Sequence, residues 1–160
     1  MKNKTILSLA AALCVAATAT AQTVTVSPQP QRIVWGEKAF DQPQSIQIKG
    51  AEEADTDAVA LLNSHFTASN KGVKVVIGER GDKAVKKFVN QIPDKVEGYY
   101  IRVAEDQVVV AGNDEAGTYY GVQTLMQLLS QPEVMKAEIK DWPDVLERGV
   151  VEGFYGNPWS

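Results

Sequence analysis

The chain has 160 residues, 44% of them hydrophobic and 22% charged, and carries a formal net charge of −4. An acidic chain without a basic stripe excludes nucleic acid as a partner and an electrostatic hold on anionic lipid. A single cysteine, Cys14, and a single histidine, His65, exclude a disulfide framework and a cysteine- or histidine-based metal site.

Residues 1–21 read as an export leader. Lys2 and Lys4 give a positive start, and Ile6 to Ala17 is an apolar run too short to span a bilayer. Ala19-Thr20-Ala21 then supplies a small-x-small cleavage site, so Gln22 is expected to be the mature N-terminus of a periplasmic or secreted protein. Leu13 before Cys14 is a poor lipobox, so no membrane anchor is expected. Cleavage removes Lys2, Lys4 and Cys14 and leaves a net charge of about −6 on residues 22–160. That length suits one domain with a proper core.

Gln22 to Pro30 reads as an extended opening strand of β-formers closed by Pro28 and Pro30. Arg32 to Trp35 is a second short strand, with a turn expected at Gly36-Glu37. Ser45 to Lys49 alternates Ile46 and Ile48 with polar residues, the pattern of a half-buried strand. Glu52 to Phe66 has Val59, Leu62 and Phe66 at helical spacing. Its acidic start (Glu52, Glu53, Asp55, Asp57) is read as complementing the helix dipole rather than as a catalytic carboxylate pair. His65 falls at the helix end, with no nucleophile pattern around it.

Lys74 to Gly78 is a Val-Val-Ile run, read as a buried strand. Arg80-Gly81-Asp82 spells an adhesion tripeptide, but a Gly-Asp turn before a helix accounts for it. Asp82 is expected to cap a helix running to Gln91, which Pro93 ends. Glu97–Val103 and Gln107–Ala111 form a hairpin about Ala104-Glu105-Asp106. Asn113 or Asp114 should cap a long helix to about Ser130, with Val122, Leu125, Met126 and Leu129 as its buried stripe. The glycines before it match neither Gly-x-Gly-x-x-Gly nor a P-loop, so no nucleotide cofactor is implied. Pro132 to Lys140 reads as a connector, extended at most over Ala137–Ile139. Asp141-Trp142-Pro143-Asp144 reads as a hinge, since Pro143 holds Trp142 extended.

The chain then runs Arg148-Gly149-Val150-Val151-Glu152-Gly153-Phe154-Tyr155-Gly156-Asn157-Pro158-Trp159-Ser160. A short strand breaks into glycines and three aromatics, Phe154, Tyr155 and Trp159. Glycine permits close backbone approach and aromatic faces suit sugar rings, although the same residues could simply fill a core at a strand end.

Over the twelve positions Arg148 to Trp159 this stretch resembles the opening of the catalytic barrel in glycoside hydrolase family 84, the O-GlcNAcase-type β-N-acetylglucosaminidases. Ala111-Gly112-Asn113-Asp114-Glu115 through Gln127-Leu128 resembles the last strand and helix of the α/β domain that precedes the barrel in families 84 and 20. There the resemblance implies a structural role only.

The expected architecture is therefore α/β: a mixed or antiparallel sheet of about five to seven strands with helices on one face, followed by the first strand of an incomplete (β/α)8 barrel. The expected divisions are leader 1–21, α/β domain 22–145 and barrel start 146–160. The resemblance implies retaining, substrate-assisted hydrolysis of terminal β-linked N-acetylglucosamine from a glycan. Its adjacent catalytic aspartates lie on a later strand, so this stretch alone should be inactive. Gly153 and Tyr155 match the family's pocket glycine and tyrosine and are the expected substrate-binding residues. Glu152 is given a supporting role, because strand alternation points it away from Gly153. No catalytic residue, metal or cofactor is assigned.

Two other readings stand beside this one. The first is a free-standing, non-catalytic carbohydrate-binding or interaction domain. The second is a family 20 hexosaminidase, disfavoured because Glu-Gly-Phe-Tyr-Gly stands where that family carries an apolar stretch ending in Asp.

Overall fold

The computed structural model describes residues 25–149. Its first strand, β1 (Arg32–Asp41), leads into β2 (Ser45–Lys49), helix α1 (Thr56–His65) and the short β3 (Thr67–Ala68). Then come β4 (Val73–Glu79), β5 (Tyr99–Val103), β6 (Val108–Gly112), helix α2 (Glu115–Leu129) and β7 (Glu133–Asp141). The strands form one seven-stranded sheet in the order β1-β7-β5-β6-β4-β2-β3. Pairing is antiparallel along β1-β7-β5-β6 and parallel along β6-β4-β2-β3. This is the mixed sheet with helices on one face that the sequence predicts.

Within the parallel half, β4 and β6 are near-continuous apolar strands, as burial on both faces requires, whereas β2 alternates. Val75 and Ile77 of β4 and Val108 and Val110 of β6 point to the helices, where Leu62, Val122, Leu125 and Leu129 complete the larger core. Each such fully buried side chain contributes about 1.5–3 kcal/mol relative to exposure. The intervening Val76, Val109, Tyr100 and Ala111 face the other side and are covered by Val85 and Ile92.

Both helices start on aspartate caps. Asp55 is buried and accepts from the Asp57 and Ala58 N–H groups, and Asp114 accepts from Gly117 N–H. The first helix starts at Thr56 rather than Glu52, so Glu52 and Glu53 lie before it and only Asp57 falls in its first turn, behind the Asp55 cap; the α2 cap is Asp114 rather than Asn113.

Four local expectations are corrected. Residues 25–31 carry no strand. The predicted turn at Gly36-Glu37 is instead part of β1, which pairs with β7 through register shifts around Lys38. Gly36 serves close approach there: a Cβ would lie 2.9 Å from Lys136 Cβ. The predicted helix 82–91 is a single 3-10 turn, Lys86–Phe88. Asp82 takes the Glu79 N–H at 2.7 Å and so tightens the turn behind it, while Val85 and Ile92 are pinned to the sheet. The predicted connector 132–140 is the full strand β7. Its buried residues Val134, Ala137 and Ile139 break strict alternation because of the same register shifts, which hid the strand from a period-two reading.

Candidate functional site

The described residues enclose a cleft of about 560 Å3 where the chain leaves the sheet. Its floor is the start of β5 and the end of β7, at Tyr99 and Asp141. One wall is the flank of α2, with Tyr120, Gln123, Thr124 and Gln127. The other walls are the segment before β1, with Pro28, Gln29 and Gln31, and the exit segment Trp142 to Arg148.

A hydrogen-bonded chain holds the floor. The Tyr99 hydroxyl donates to Asp141 Oδ2 at 2.7 Å and lies 2.7 Å from Thr124 Oγ1, which must then supply its own proton. Asp141 Oδ1 accepts from Gln31 N–H at 3.0 Å. Burial pushes the Tyr99 hydroxyl above its ordinary range; the Thr124 contact opposes this and the Asp141 carboxylate adds to it. Tyr99 therefore remains a proton donor across the neutral range. At the rim, Gln127 accepts from Ser27 N–H and donates to Ser27 C=O, both at 2.9 Å, and Gln31 Nε2 donates to Asp144 Oδ1 at 2.6 Å.

The exit segment is held by a second group. Arg148 pairs with the Glu97 carboxylate, donates to Val145 C=O at 2.9 Å and sits 5.8 Å from the Tyr120 ring centroid. Large apolar side chains are exposed near this end: Val96, Tyr120, Val145 and Leu146. Apolar surface around a polar, mutually satisfied floor suits docking of a further protein surface better than chemistry on a small molecule.

The expected substrate residues Gly153 and Tyr155, with Glu152, lie outside the described residues. Asp141 and Asp144 are in the cleft but tie segments together. His65 is exposed at the end of α1. Arg80 donates to Asn113 Oδ1 and Ile92 C=O, and Asp82 holds Glu79 N–H, so the Arg-Gly-Asp tripeptide is consumed by the fold. Among the described residues no group of three His, Cys, Asp or Glu side chains could hold a metal ion, and no helix is long and apolar enough to cross a membrane. The sequence reading flagged the hinge at Asp141 but missed Tyr99, Thr124 and Glu97. Only the adjacent Tyr99-Tyr100 pair at a strand start gave any signal, one hydroxyl having to find a partner on each face.

Sheet order, helix placement and a cleft at the chain exit define an α/β domain of the type that precedes the catalytic barrel in hexosaminidases. Residues 23–142 match the family model for glycosyl hydrolase family 20, domain 2. The chain belongs to that family. It is 29% identical over 136 residues to a beta-hexosaminidase of Porphyromonas gingivalis (strain ATCC BAA-308 / W83), a match covering 76% of this chain and 18% of that protein. The chain thus spans under a fifth of that curated relative. Its fold is similar to the solved structure of CpGH84B, with a TM-score of 0.70 and 31% identity over 86% of this chain and 26% of the other. It is also similar to a glycoside hydrolase family 20 beta-N-acetylglucosaminidase, with a TM-score of 0.53 and 29% identity over 76% of this chain and 23% of the other. These comparisons place residues 23–142 with a domain that occurs in glycoside hydrolases of the hexosaminidase kind.

Proposed function

We propose that the chain is the N-terminal part of an exported, retaining β-N-acetylglucosaminidase of the family 84 type, acting on glycans that end in N-acetylglucosamine. The observation that carries this reading is the stretch Arg148 to Trp159, which resembles that family's first barrel strand and whose first residue, Arg148, lines the cleft. The likeness to CpGH84B supports it. The α/β domain spans residues 22–145 and acts as a scaffold, and residues 146–160 open the barrel. Gly153 and Tyr155 line the sugar pocket, the glycine through its backbone. As the resemblance implies, the substrate's own acetamido oxygen attacks the anomeric carbon, an exception to the two-carboxylate nucleophile scheme. One aspartate orients the acetamido group, and its neighbour protonates the leaving oxygen and then activates water. These residues hold no adjacent Asp-Asp pair, so the stretch alone is inactive. Cleavage between Ala21 and Gln22 delivers the protein to the periplasm or the medium.

The family 20 domain match and the P. gingivalis relative favour a second reading, a family 20 parent. Glu152-Gly153-Phe154-Tyr155-Gly156 argues for the first. Reading the gene past the Ser160 codon and assaying the whole product on an aryl β-N-acetylglucosaminide separates them. A barrel's length with an adjacent Asp-Asp at a strand end, and hydrolysis with retention, is the expected result. A family 20 barrel sequence would replace the reading, and a frame that stops near Ser160 would leave a non-catalytic binding or interaction domain. Sequencing the exported N-terminus tests the leader separately.

A further inference from the structure

Glu97 is the one non-glycine residue with a positive φ, 59°, among the described residues. A glutamate in the left-handed region costs about 1–2 kcal/mol, and such residues persist only where the surroundings over-determine them. Here the Glu97 N–H donates to Asp114 Oδ2 at 2.8 Å, so the α2 cap also holds the strained turn. The following Gly98 accepts from Asn113 N–H at 2.7 Å and packs against Gly117 of α2. The outcome of this conformation is a carboxylate aimed at Arg148, 51 residues further along the chain. The Tyr120 ring, on α2, takes the same guanidinium on its face. The Glu97 hydrogen bond is the first cause that lifts the Arg148 pKa, with Tyr120 adding to it.

We propose that Glu97 and Tyr120 form a clamp that fixes Arg148 on the α/β domain and so sets the position and direction in which the chain leaves that domain. Arg148 is five residues before Gly153 and seven before Tyr155, the residues that the proposed function assigns to the sugar pocket. Glu97 and Tyr120 are positioning residues, remote from any reacting atom. The anchoring is independent of the hydrolase reading; the effect on substrate handling rests on that reading.

The bond after Arg148 is a tryptic site, and trypsin needs that guanidinium in its own acidic pocket. The clamp competes for the same group. In the whole chain, Glu97→Gln should speed cleavage after Arg148 about threefold to fivefold, the scale of a partly exposed charge pair. Tyr120→Leu should speed it less, and Tyr120→Phe least of the three, since the ring remains and only the hydroxyl is lost. Cleavage elsewhere should keep its wild-type rate. Salt near 1 M, with trypsin calibrated on a small peptide, should speed wild-type cleavage after Arg148 by screening the pair. If Glu97→Gln fails to fold, Tyr120→Leu and the salt series carry the same test. Wild-type rates in all of them overturn the clamp. In the full-length hydrolase, Glu97→Gln should raise KM about threefold with kcat held, again on the scale of one lost exposed pair. An unchanged KM alongside faster cleavage overturns the link to substrate handling. A full-length product without activity removes the hydrolase reading and leaves the tryptic result to decide the clamp.

Discussion

Tyr99 and Asp141 stand side by side at the end of the sheet, the tyrosine hydroxyl 2.7 Å from the carboxylate, and this one bond joins the first residue of β5 to the last residue of β7. Tyr99→Phe keeps the ring and removes the donor. It leaves Asp141 short of a partner and Thr124 without its acceptor. Loss of a hydrogen bond to a charged group costs about 1.5–3 kcal/mol, and the variant should unfold at correspondingly lower urea. An unaltered midpoint would show that water replaces the tyrosine at no cost.

Tyr100 points to the opposite face, and burial pushes its hydroxyl from 10.0 up to about 12, with Glu138 adding and Arg102 opposing. A raised folded-state pKa means that the folded protein keeps a proton the unfolded chain gives up. Stability from this group is therefore intact below pH 10.0 and is lost as pH rises toward about 12. Tyr100→Phe should flatten the decline of Tm above pH 10 while changing little at pH 7. A variant that declines as steeply as the parent would assign the alkaline loss to the other groups with raised values, Tyr99, Lys38 and Lys136.

Glu79 shows the same sign on an acid. Burial first, then Asp82, Glu115, Asp55 and Asp114, raise its pKa above the ordinary 4.5. The folded state therefore resists ionising it, and stability falls as pH climbs through that raised value. Glu79→Gln should stabilise the domain at pH 7 and do nothing at pH 3. Equal effects at both pH values would point to packing rather than charge.

Gly117 sits in the first turns of α2, where alanine would ordinarily be about 0.5–1 kcal/mol better than glycine. A Cβ there would lie 2.3 Å from the Gly98 carbonyl oxygen, which is backbone and cannot swing aside. Overpacking should win, and Gly117→Ala should lose about 1–3 kcal/mol, read from chemical denaturation. A gain would mean that the 97–98 turn yields easily.

Glu97→Gly offers the converse. It relieves a left-handed glutamate and should raise Tm slightly by scanning calorimetry, even though it deletes the partner of Arg148. A drop in Tm would mean that the ion pair outweighs the backbone strain.

The parts legible in the sequence were those with a single dominant period or a local signal. Ser45–Lys49 alternates cleanly, Val75–Ile77 is a solid apolar run, and Asp114 stands where a cap belongs. The hairpin at Tyr99–Gly112 carries its own turn. Illegible were the elements shaped by distant partners. β7 hides behind register shifts forced by β1, and residues 82–92 carry a helix-like apolar spacing that serves instead to pin Val85 and Ile92 to the sheet. The cleft was half legible: the Trp142-Pro143 hinge speaks in sequence, but the union of Gln31, Tyr99, Thr124 and Asp141 exists only in three dimensions. The pocket residues Gly153 and Tyr155 rest on motif alone.

The sheet order carries a consequence for how the domain comes into being. β1 has one neighbour, β7, and the Gln31–Asp141 bond beside that pairing joins residues 110 apart. A chain emerging from its N-terminus therefore holds β1 and one edge of β5 open until residue 141 appears, a high-separation closure of the sort that folds slowly. Throughout that interval two bare strand edges are available to other chains, and dependence on holding factors is greatest then. The last event of the domain's assembly is also the one that fixes where Trp142 leaves it, so timing and direction are settled in a single step.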